Sequence, residues 1–165
     1  MTKHIDQFSA VLSALQKYRV EYVLVGGVAV ILYGLERVTA DLDIFVRMTP
    51  DNIDRLKDAL DDVFRDPSIK EITLEELSAY PVIRYGTPDG FYIDIMTRIG
   101  EVAEYEDLKW EEVEYLGTPI RIAVPETLFE LKRDTVRPKD KVDAAFLSEL
   151  IRRRGPDGQE PGEEE

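Results

Sequence analysis

The sequence contains no cysteine and only one histidine, His4, among its 165 residues. The absence of cysteine excludes disulfide frameworks and cysteine-ligated zinc sites, and nothing indicates an oxidising compartment. A single histidine also excludes metal sites built from several imidazoles. No apolar run approaches the ~20 residues that a membrane-spanning helix needs, and the first residues contain no apolar segment of the secretory type. We therefore expect a cytoplasmic protein with no membrane association.

Basic residues are scarce as well, since 21 Lys and Arg stand against 34 Asp and Glu and give a formal net charge of −13. Broad, sequence-independent binding to DNA depends on neutralising phosphates with Lys and Arg, so this charge argues against it. The composition of residues 155–165, rich in Gly, Pro and Glu, cannot bury enough apolar surface to fold. We predict one domain over residues 1–154, a size that supports a real core, followed by a disordered acidic tail over 155–165.

Hydrophobic periodicity predicts alternating helices and strands along residues 1–154. Apolar residues at helical spacing, together with a Thr49-Pro50 start signal, predict helices at 3–18, 28–34, 50–64, 125–134 and 138–154. Alternating or β-rich runs predict strands at 21–25, 41–46, 82–86, 91–96, 112–116 and 119–123. This order indicates an α/β (α+β) fold with a mixed β-sheet flanked by helices and with helices at the C-terminal end.

Asp41 and Asp43 lie two residues apart in a predicted strand. Residues at this spacing point to the same face, so both carboxylates stand side by side while Leu42 and Ile44 point into the core. Acids are so common in this sequence that the pair alone means little, and the strand context supplies the specificity. Adjacent carboxylates repel each other, and a hard divalent cation such as Mg²⁺, or Mn²⁺ in its place, relieves the repulsion.

Asp94 lies in a later predicted strand, between residues that should be buried. A carboxylate there is unfavourable unless it is paired or metal-bound. If this strand lies beside the first, Asp94 joins Asp41 and Asp43 in a three-carboxylate metal site of the kind that catalyses phosphoryl transfer. We predict all three as catalytic metal ligands, with Asp94 as the base. The alternative for Asp94 is the solvated face of an edge hairpin.

Gly26 and Gly27 form a turn without Cβ atoms at the start of a predicted helix. Backbone N–H groups in such a turn can approach phosphate oxygens closely, and the helix dipole favours anions at this end. Residues 28–40 are enough for one short helix and a return loop that brings the acidic strand beside this turn. The turn is therefore predicted to bind the phosphates of a nucleotide.

The stretch from Val25 through Ile44 resembles the signature of the nucleotidyltransferase superfamily with the polymerase-β-like fold. More narrowly, the spacing of Arg37, Thr39, Asp41 and Asp43 and the segment from Lys132 to Asp143 are similar to the small bacterial nucleotidyltransferases that include the abortive-infection type IV toxins. The resemblance covers most of residues 5–150, and its glycine-to-aspartate motif is its most specific part. Val28 departs from the pattern, because many of these toxins have a serine in or after the glycine turn.

The resemblance implies a role for each matching residue. Gly26 and Gly27 match the phosphate-binding turn, and Asp41, Asp43 and Asp94 match the metal-binding carboxylates. Arg37 would contact phosphate, and Lys132 would match a later lysine that faces the nucleotide. The alternative for Arg37 is an ordinary pair with a neighbouring acid, and the alternative for Lys132 is a surface lysine with its ammonium in water.

The predicted activity is metal-dependent transfer of a nucleoside monophosphate from an NTP to an acceptor hydroxyl, with release of pyrophosphate. The acceptor is an RNA 3′ end, a protein or a small molecule, and the sequence does not decide among them. By resemblance, the protein would be the toxin of a toxin–antitoxin pair and would have a small helical partner or antitoxin. One alternative is a non-catalytic nucleotide- or partner-binding module of the same fold; another is a phosphohydrolase that uses the same carboxylates.

Overall fold

The structure is a computed structural model that describes residues 5–99, 103–132 and 138–155. Its helices are α1 (Ile5–Lys17), α2 (Gly26–Leu32), α3 (Pro50–Phe64), α4 (Leu74–Ala79), α5 (Pro125–Lys132) and α6 (Pro138–Arg154). Its strands are β1 (Tyr22–Val25), β2 (Asp41–Val46), β3 (Val82–Gly86), β4 (Tyr92–Met96), β5 (Arg98–Ile99), β6 (Ala103–Glu104), β7 (Trp110–Tyr115) and β8 (Thr118–Ala123). Each described helix is too short or too polar to span a membrane.

Six strands form one mixed sheet in the order β3-β4-β2-β1-β8-β7, and β5 pairs with β6 separately. β1 runs antiparallel to β2 and parallel to β8, while β2 runs parallel to β4. The hairpins β3-β4 and β7-β8 close the two ends of the sheet. The mixed sheet and the C-terminal helices confirm the predicted fold class.

Helices α1 and α3 pack together, and α1 also packs on β8. The inward side chains of α1, which include Phe8, Leu12 and Leu15, are fully buried. Leu42 and Ile44 of β2 are also fully buried, as the strand alternation predicts. The intervening Asp41 and Asp43 are consequently displayed on the other side of the same strand.

The predicted strands and helices are present within two residues of their expected bounds, but α2 begins at Gly26 rather than after the glycine pair. Val25 therefore serves as the N-cap residue directly at the end of β1. Residues 3–4, residues 133–134 of the predicted helix 125–134, and the predicted tail beyond Gly155 lie outside the described residues.

No helix or strand is predicted for residues 65–81, and the structure places a 3₁₀ helix (Pro67–Glu71) and α4 there. Both are too short to show a helical period clearly. Their capping residues were the available signal, because the side chain of Asp66 accepts from the Ser68 N–H and that of Thr73 accepts from the Glu76 N–H. β5 and β6, of two residues each, were missed for the same reason.

Candidate active site

The predicted carboxylates come together because β2 and β4 are parallel neighbours in the sheet. Their register places Asp43 directly opposite Asp94, with Asp41 one pleat away on the same face. The side chains of Asp41, Asp43 and Asp94, which we call the carboxylate cluster, line one cleft of about 240 Å³. Only 13% of the Asp94 side chain is exposed, so Asp94 is not on a freely solvated hairpin face.

Arg84, which the sequence analysis did not single out, lies on β3 opposite Asp94. Its Nε donates to Asp94 Oδ1 at 2.9 Å, and its Nη2 donates to Asp94 Oδ2 at 3.1 Å and to Asp41 Oδ2 at 3.2 Å. The predicted hairpin contained the signal, because folding 82–86 back on 91–96 brings Arg84 beside Asp94. This guanidinium bridges two members of the carboxylate cluster.

The surroundings of Asp43 disfavour the charged form of its side chain. Burial, followed by the neighbouring carboxylates of Asp94 and Asp41, raises the pKa of Asp43 to about 7, although the Lys132 ammonium opposes the shift. No basic side chain among the described residues donates a hydrogen bond to it. The charged form of Asp43 is therefore disfavoured in the absence of a cation.

The donor chemistry of the cluster fits a hard divalent cation, since it offers carboxylate oxygens from two adjacent strands, and the Asp43 carboxylate accepts no hydrogen bond from a basic side chain of the described residues. Within residues 5–99, 103–132 and 138–155, however, no group of three or more acidic or histidine side chains has a geometry ready to hold a metal. The Arg84 contacts to Asp41 and Asp94 occupy oxygens that such a cation would use.

Position 26 requires glycine because the side chain of Asp43 lies against it. Its φ is +73°, and a Cβ at this position would lie 1.9 Å from Asp43 Oδ2 and 2.8 Å from Asp43 Cβ. The antiparallel register pairs Val25 with Asp43, which explains why the turn that follows β1 meets the acidic strand. Only glycine combines this backbone conformation with so close an approach.

Gly27 lies in the same cleft, and the guanidinium of Arg37 packs against it. A Cβ added at position 27 would lie 3.3 Å from Arg37 Cζ, so a larger residue would crowd the guanidinium. Thr39 also lines the cleft, and its hydroxyl accepts a hydrogen bond from the backbone N–H of Asp41 at 3.2 Å. The return loop thus orients both the arginine and the first aspartate of the motif.

Lys132 and Arg37 take part in a buried ion cluster with two acids of α6. The Lys132 Nζ donates to Asp140 Oδ1 at 3.0 Å and to Asp143 Oδ2 at 2.6 Å, and Arg37 Nη1 donates to the same oxygen of Asp143. Lys132 is buried, so it is not a surface lysine with its ammonium in water. Arg37 does pair with an acid, while Arg37, Lys132 and Asp140 also line the cleft. This buried ion cluster joins the return loop to α5 and α6.

Replacing Asp143 with alanine is expected to lower the free energy of unfolding by about 3–5 kcal/mol. Only 1% of its side chain is exposed, and it accepts from both Arg37 and Lys132. Its removal leaves the charges of Lys132 and Arg37 without one of their acidic partners. Urea denaturation of the variant and the wild type measures the difference.

Glu149→Ala is the matched control for this experiment, because Glu149 pairs with Arg152 on the exposed side of the same helix. Exposed pairs contribute little to stability, so this variant should lose much less than Asp143→Ala. Equal, small losses in both variants would contradict a structural role for the buried ion cluster.

Comparison with known proteins adds to this geometry. The family model described as "Nucleotidyl transferase AbiEii toxin, Type IV TA system" matches residues 10–122 of the chain. No curated protein matches the chain in sequence.

Several solved structures are similar to the chain at low sequence identity. Lincosamide antibiotic adenylyltransferase LnuA, bound to lincomycin, has 15% identity and a TM-score of 0.57 over 89% of this chain and 98% of its own. The antibiotic-resistance factor ANT(2'')-Ia has 14% identity and a TM-score of 0.54 over 90% of this chain and 85% of its own. An antigenic nucleotidyltransferase-like protein from Paracoccidioides brasiliensis has 17% identity and a TM-score of 0.55 over 89% of this chain and 78% of its own. These likenesses show a shared fold.

Proposed function

This chain belongs to the nucleotidyl transferase AbiEii toxin family of type IV toxin–antitoxin systems, and from that premise we propose that it transfers a nucleoside monophosphate from an NTP to an acceptor hydroxyl, releasing pyrophosphate. The observation that carries the proposal is the carboxylate cluster of Asp41, Asp43 and Asp94 in one cleft with Gly27 and Arg37. Three carboxylates beside an anion-binding turn are suited to phosphoryl transfer from a nucleotide.

In this proposal, Asp41, Asp43 and Asp94 hold a divalent cation, Mg²⁺ or Mn²⁺. A cation held there would supply positive charge against the triphosphate and would favour loss of the proton from the attacking hydroxyl. The pairing of Asp43 with Asp94 across β2 and β4 supports this assignment, because adjacent carboxylates need a counter-charge.

The remaining residues bind and orient the substrates. The backbone N–H groups of the Gly26-Gly27 turn receive the β- and γ-phosphates, and the Arg37 guanidinium contacts phosphate from the side of the cleft. Lys132, which donates to Asp140 and Asp143, would face the nucleotide from the lining of the same cleft. Asp94 accepts the proton of the acceptor hydroxyl. Catalysis then depends on positioning and charge neutralisation.

The biological role that we propose follows the family. The chain acts in the cytoplasm, where NTPs are available, as the toxin of a two-protein system with a small helical antitoxin as its partner. Its acceptor is an RNA 3′ end, a protein or a small molecule. The antibiotic adenylyltransferases share the fold, and they direct attention to small-molecule hydroxyls as well as to macromolecules.

The test is a transfer assay in which purified protein, each α-labelled NTP in turn, Mg²⁺ and a cell extract are incubated together. Label in a specific RNA, protein or small-molecule fraction, accompanied by pyrophosphate, is the expected result. The Asp41→Asn/Asp43→Asn double variant is expected to give no transfer, because both changes keep the side-chain shape and remove the charge.

Other outcomes separate the alternative functions. Binding of NTP and Mg²⁺ without transfer, also after addition of the partner protein, would favour a non-catalytic module. Release of orthophosphate without labelling of any acceptor would favour a phosphohydrolase.

A further inference from the structure

Arg84 holds an unusual position for an arginine of the edge strand β3. Its guanidinium makes three hydrogen bonds of 2.9–3.2 Å to Asp94 and Asp41. Its other side lies over the ring of Tyr92, with 4.7 Å between Arg84 Cζ and the ring centroid. The guanidinium is therefore held in place over the carboxylate cluster by charge and by an aromatic surface.

The contacts of Arg84 use the same oxygen atoms that a divalent cation requires. Both oxygens of Asp94 and one oxygen of Asp41 accept from Arg84. Among the described residues, Arg84 is the one basic side chain that pairs with either of these two aspartates. A guanidinium in this position neutralises part of the cluster's charge and competes with a closely coordinated cation for these oxygens.

The surroundings of Arg84 also allow the guanidinium to leave. About 54% of its side chain is exposed, and β3 has β4 as its one neighbour in the sheet. A second cleft of about 470 Å³ borders Arg84 along this edge; Glu71 and Glu76 line it, and no member of the carboxylate cluster does. Release of the side chain therefore requires neither unfolding of the strand nor displacement of buried residues.

We propose that Arg84 is an internal counter-cation, which occupies Asp41 and Asp94 when no metal is bound and is displaced when a divalent cation and an NTP enter together. This inference rests on the proposed function, since it concerns the same carboxylates. The triphosphate provides the released guanidinium with a new anionic partner, for which the planar fork of arginine is well suited. Arg84 is thus a positioning residue that couples cation binding to NTP binding.

Titration with Mn²⁺ tests this coupling. The full-length wild type and Arg84→Gln are titrated with Mn²⁺, with and without a non-hydrolysable ATP analogue, and free Mn²⁺ is followed by electron paramagnetic resonance. Without nucleotide, Arg84→Gln is expected to bind Mn²⁺ about tenfold more tightly, because each exposed ion pair that the cation must break contributes up to about fivefold. The analogue should tighten Mn²⁺ binding less in Arg84→Gln than in the wild type.

Two further variants make the measurement specific. Arg152→Gln removes the same charge from an exposed bidentate pair with Glu149 on α6, so its Mn²⁺ affinity should equal that of the wild type. Arg84→Lys retains the charge but loses the planar guanidinium that donates to both Asp94 and Asp41. Its Mn²⁺ affinity should lie between those of the wild type and Arg84→Gln. Circular dichroism of each variant verifies folding.

The outcomes distinguish this inference from the proposed function. If Arg84→Gln binds Mn²⁺ no more tightly than the wild type, while both bind Mn²⁺ with the analogue, the inference is wrong and the proposed function stands. If none of the proteins binds Mn²⁺ under either condition, the metal-dependent function fails and the inference fails with it. Tighter binding in Arg152→Gln as well would reduce the effect to net charge and overturn the inference.

Discussion

Replacing Asp43 with asparagine should reduce nucleotidyl transfer by about a thousandfold or more, the size of effect expected when charge stabilisation of a transferring phosphoryl group is lost. The same substitution should make the cation-free protein more stable. Asp43 lies opposite Asp94 and two residues from Asp41 on β2, and burial together with these carboxylates raises its pKa to about 7. Asparagine keeps the shape of the side chain and removes the repelling charge. Opposite effects on activity and stability identify a residue kept for function.

The pH dependence of stability follows from the same pKa. Because the pKa of Asp43 is raised from 3.8 to about 7 in the folded protein, the folded state binds this proton more tightly than the unfolded state. The contribution of Asp43 to stability is therefore fully present below pH 3.8, declines as the pH rises and is lost above pH 7. Thermal melting with a chelator between pH 5 and 8 should show the advantage of Asp43→Asn growing up to pH 7 and constant beyond it.

Asp62→Asn serves as the control, because Asp62 is an exposed acid that pairs with Lys17 outside the cleft. Transfer by this variant should equal that of the wild type. If Asp43→Asn retained transfer, Asp43 would not be a catalytic ligand. If Asp43→Asn lowered stability at pH 8, the Asp43 carboxylate would be stabilised by neighbouring protein groups without a cation.

Strand periodicity was sufficient to predict that Asp41 and Asp43 share a face opposite Leu42 and Ile44, because alternation is a local property of a strand. The position of Asp94 beside Asp43 is not local. It requires β2 and β4 to be parallel neighbours, although they are separated in the chain by α3, α4 and β3. The resemblance to a known fold supplied this adjacency, whereas the sequence pattern alone left a solvated hairpin open.

The burial of Lys132 and its pairing with Asp140 and Asp143 could not be predicted from the sequence. A lysine near the end of a helix is usually a surface residue, and its spacing to Asp140 and Asp143 does not determine whether α5 and α6 pack together. Their packing buries the ammonium and directs it to both acids. The sequence did not indicate Arg84 for a related reason. An arginine in a hairpin strand is common, and only the arrangement of the sheet places Asp94 and Asp41 beside it.

Replacing Gly26 with alanine should disrupt both the fold and the site. A residue with a side chain is strained at a φ of +73°, which costs about 1–3 kcal/mol. The new Cβ would also lie 1.9 Å from the carboxylate of Asp43, so β2 or the turn must shift. We expect a loss of about 3 kcal/mol, or roughly 10 °C in melting temperature. Transfer should fall at least about a hundredfold, because displacement of a catalytic group by about 1 Å has such effects.

Gly90→Ala separates these two causes. Gly90 has a φ of +89° in the β3-β4 turn, but a Cβ there would have no heavy atom within 4 Å. This variant should therefore lose about 1 kcal/mol from backbone strain, and its transfer activity should be unchanged. If Gly26→Ala lost no more stability than Gly90→Ala and still transferred nucleotides normally, the contact between the turn and Asp43 would have no part in shaping the site. If Gly26→Ala lost more stability than Gly90→Ala and also lost transfer activity, Gly26 would be needed to position Asp43 as well as to let phosphate approach the turn.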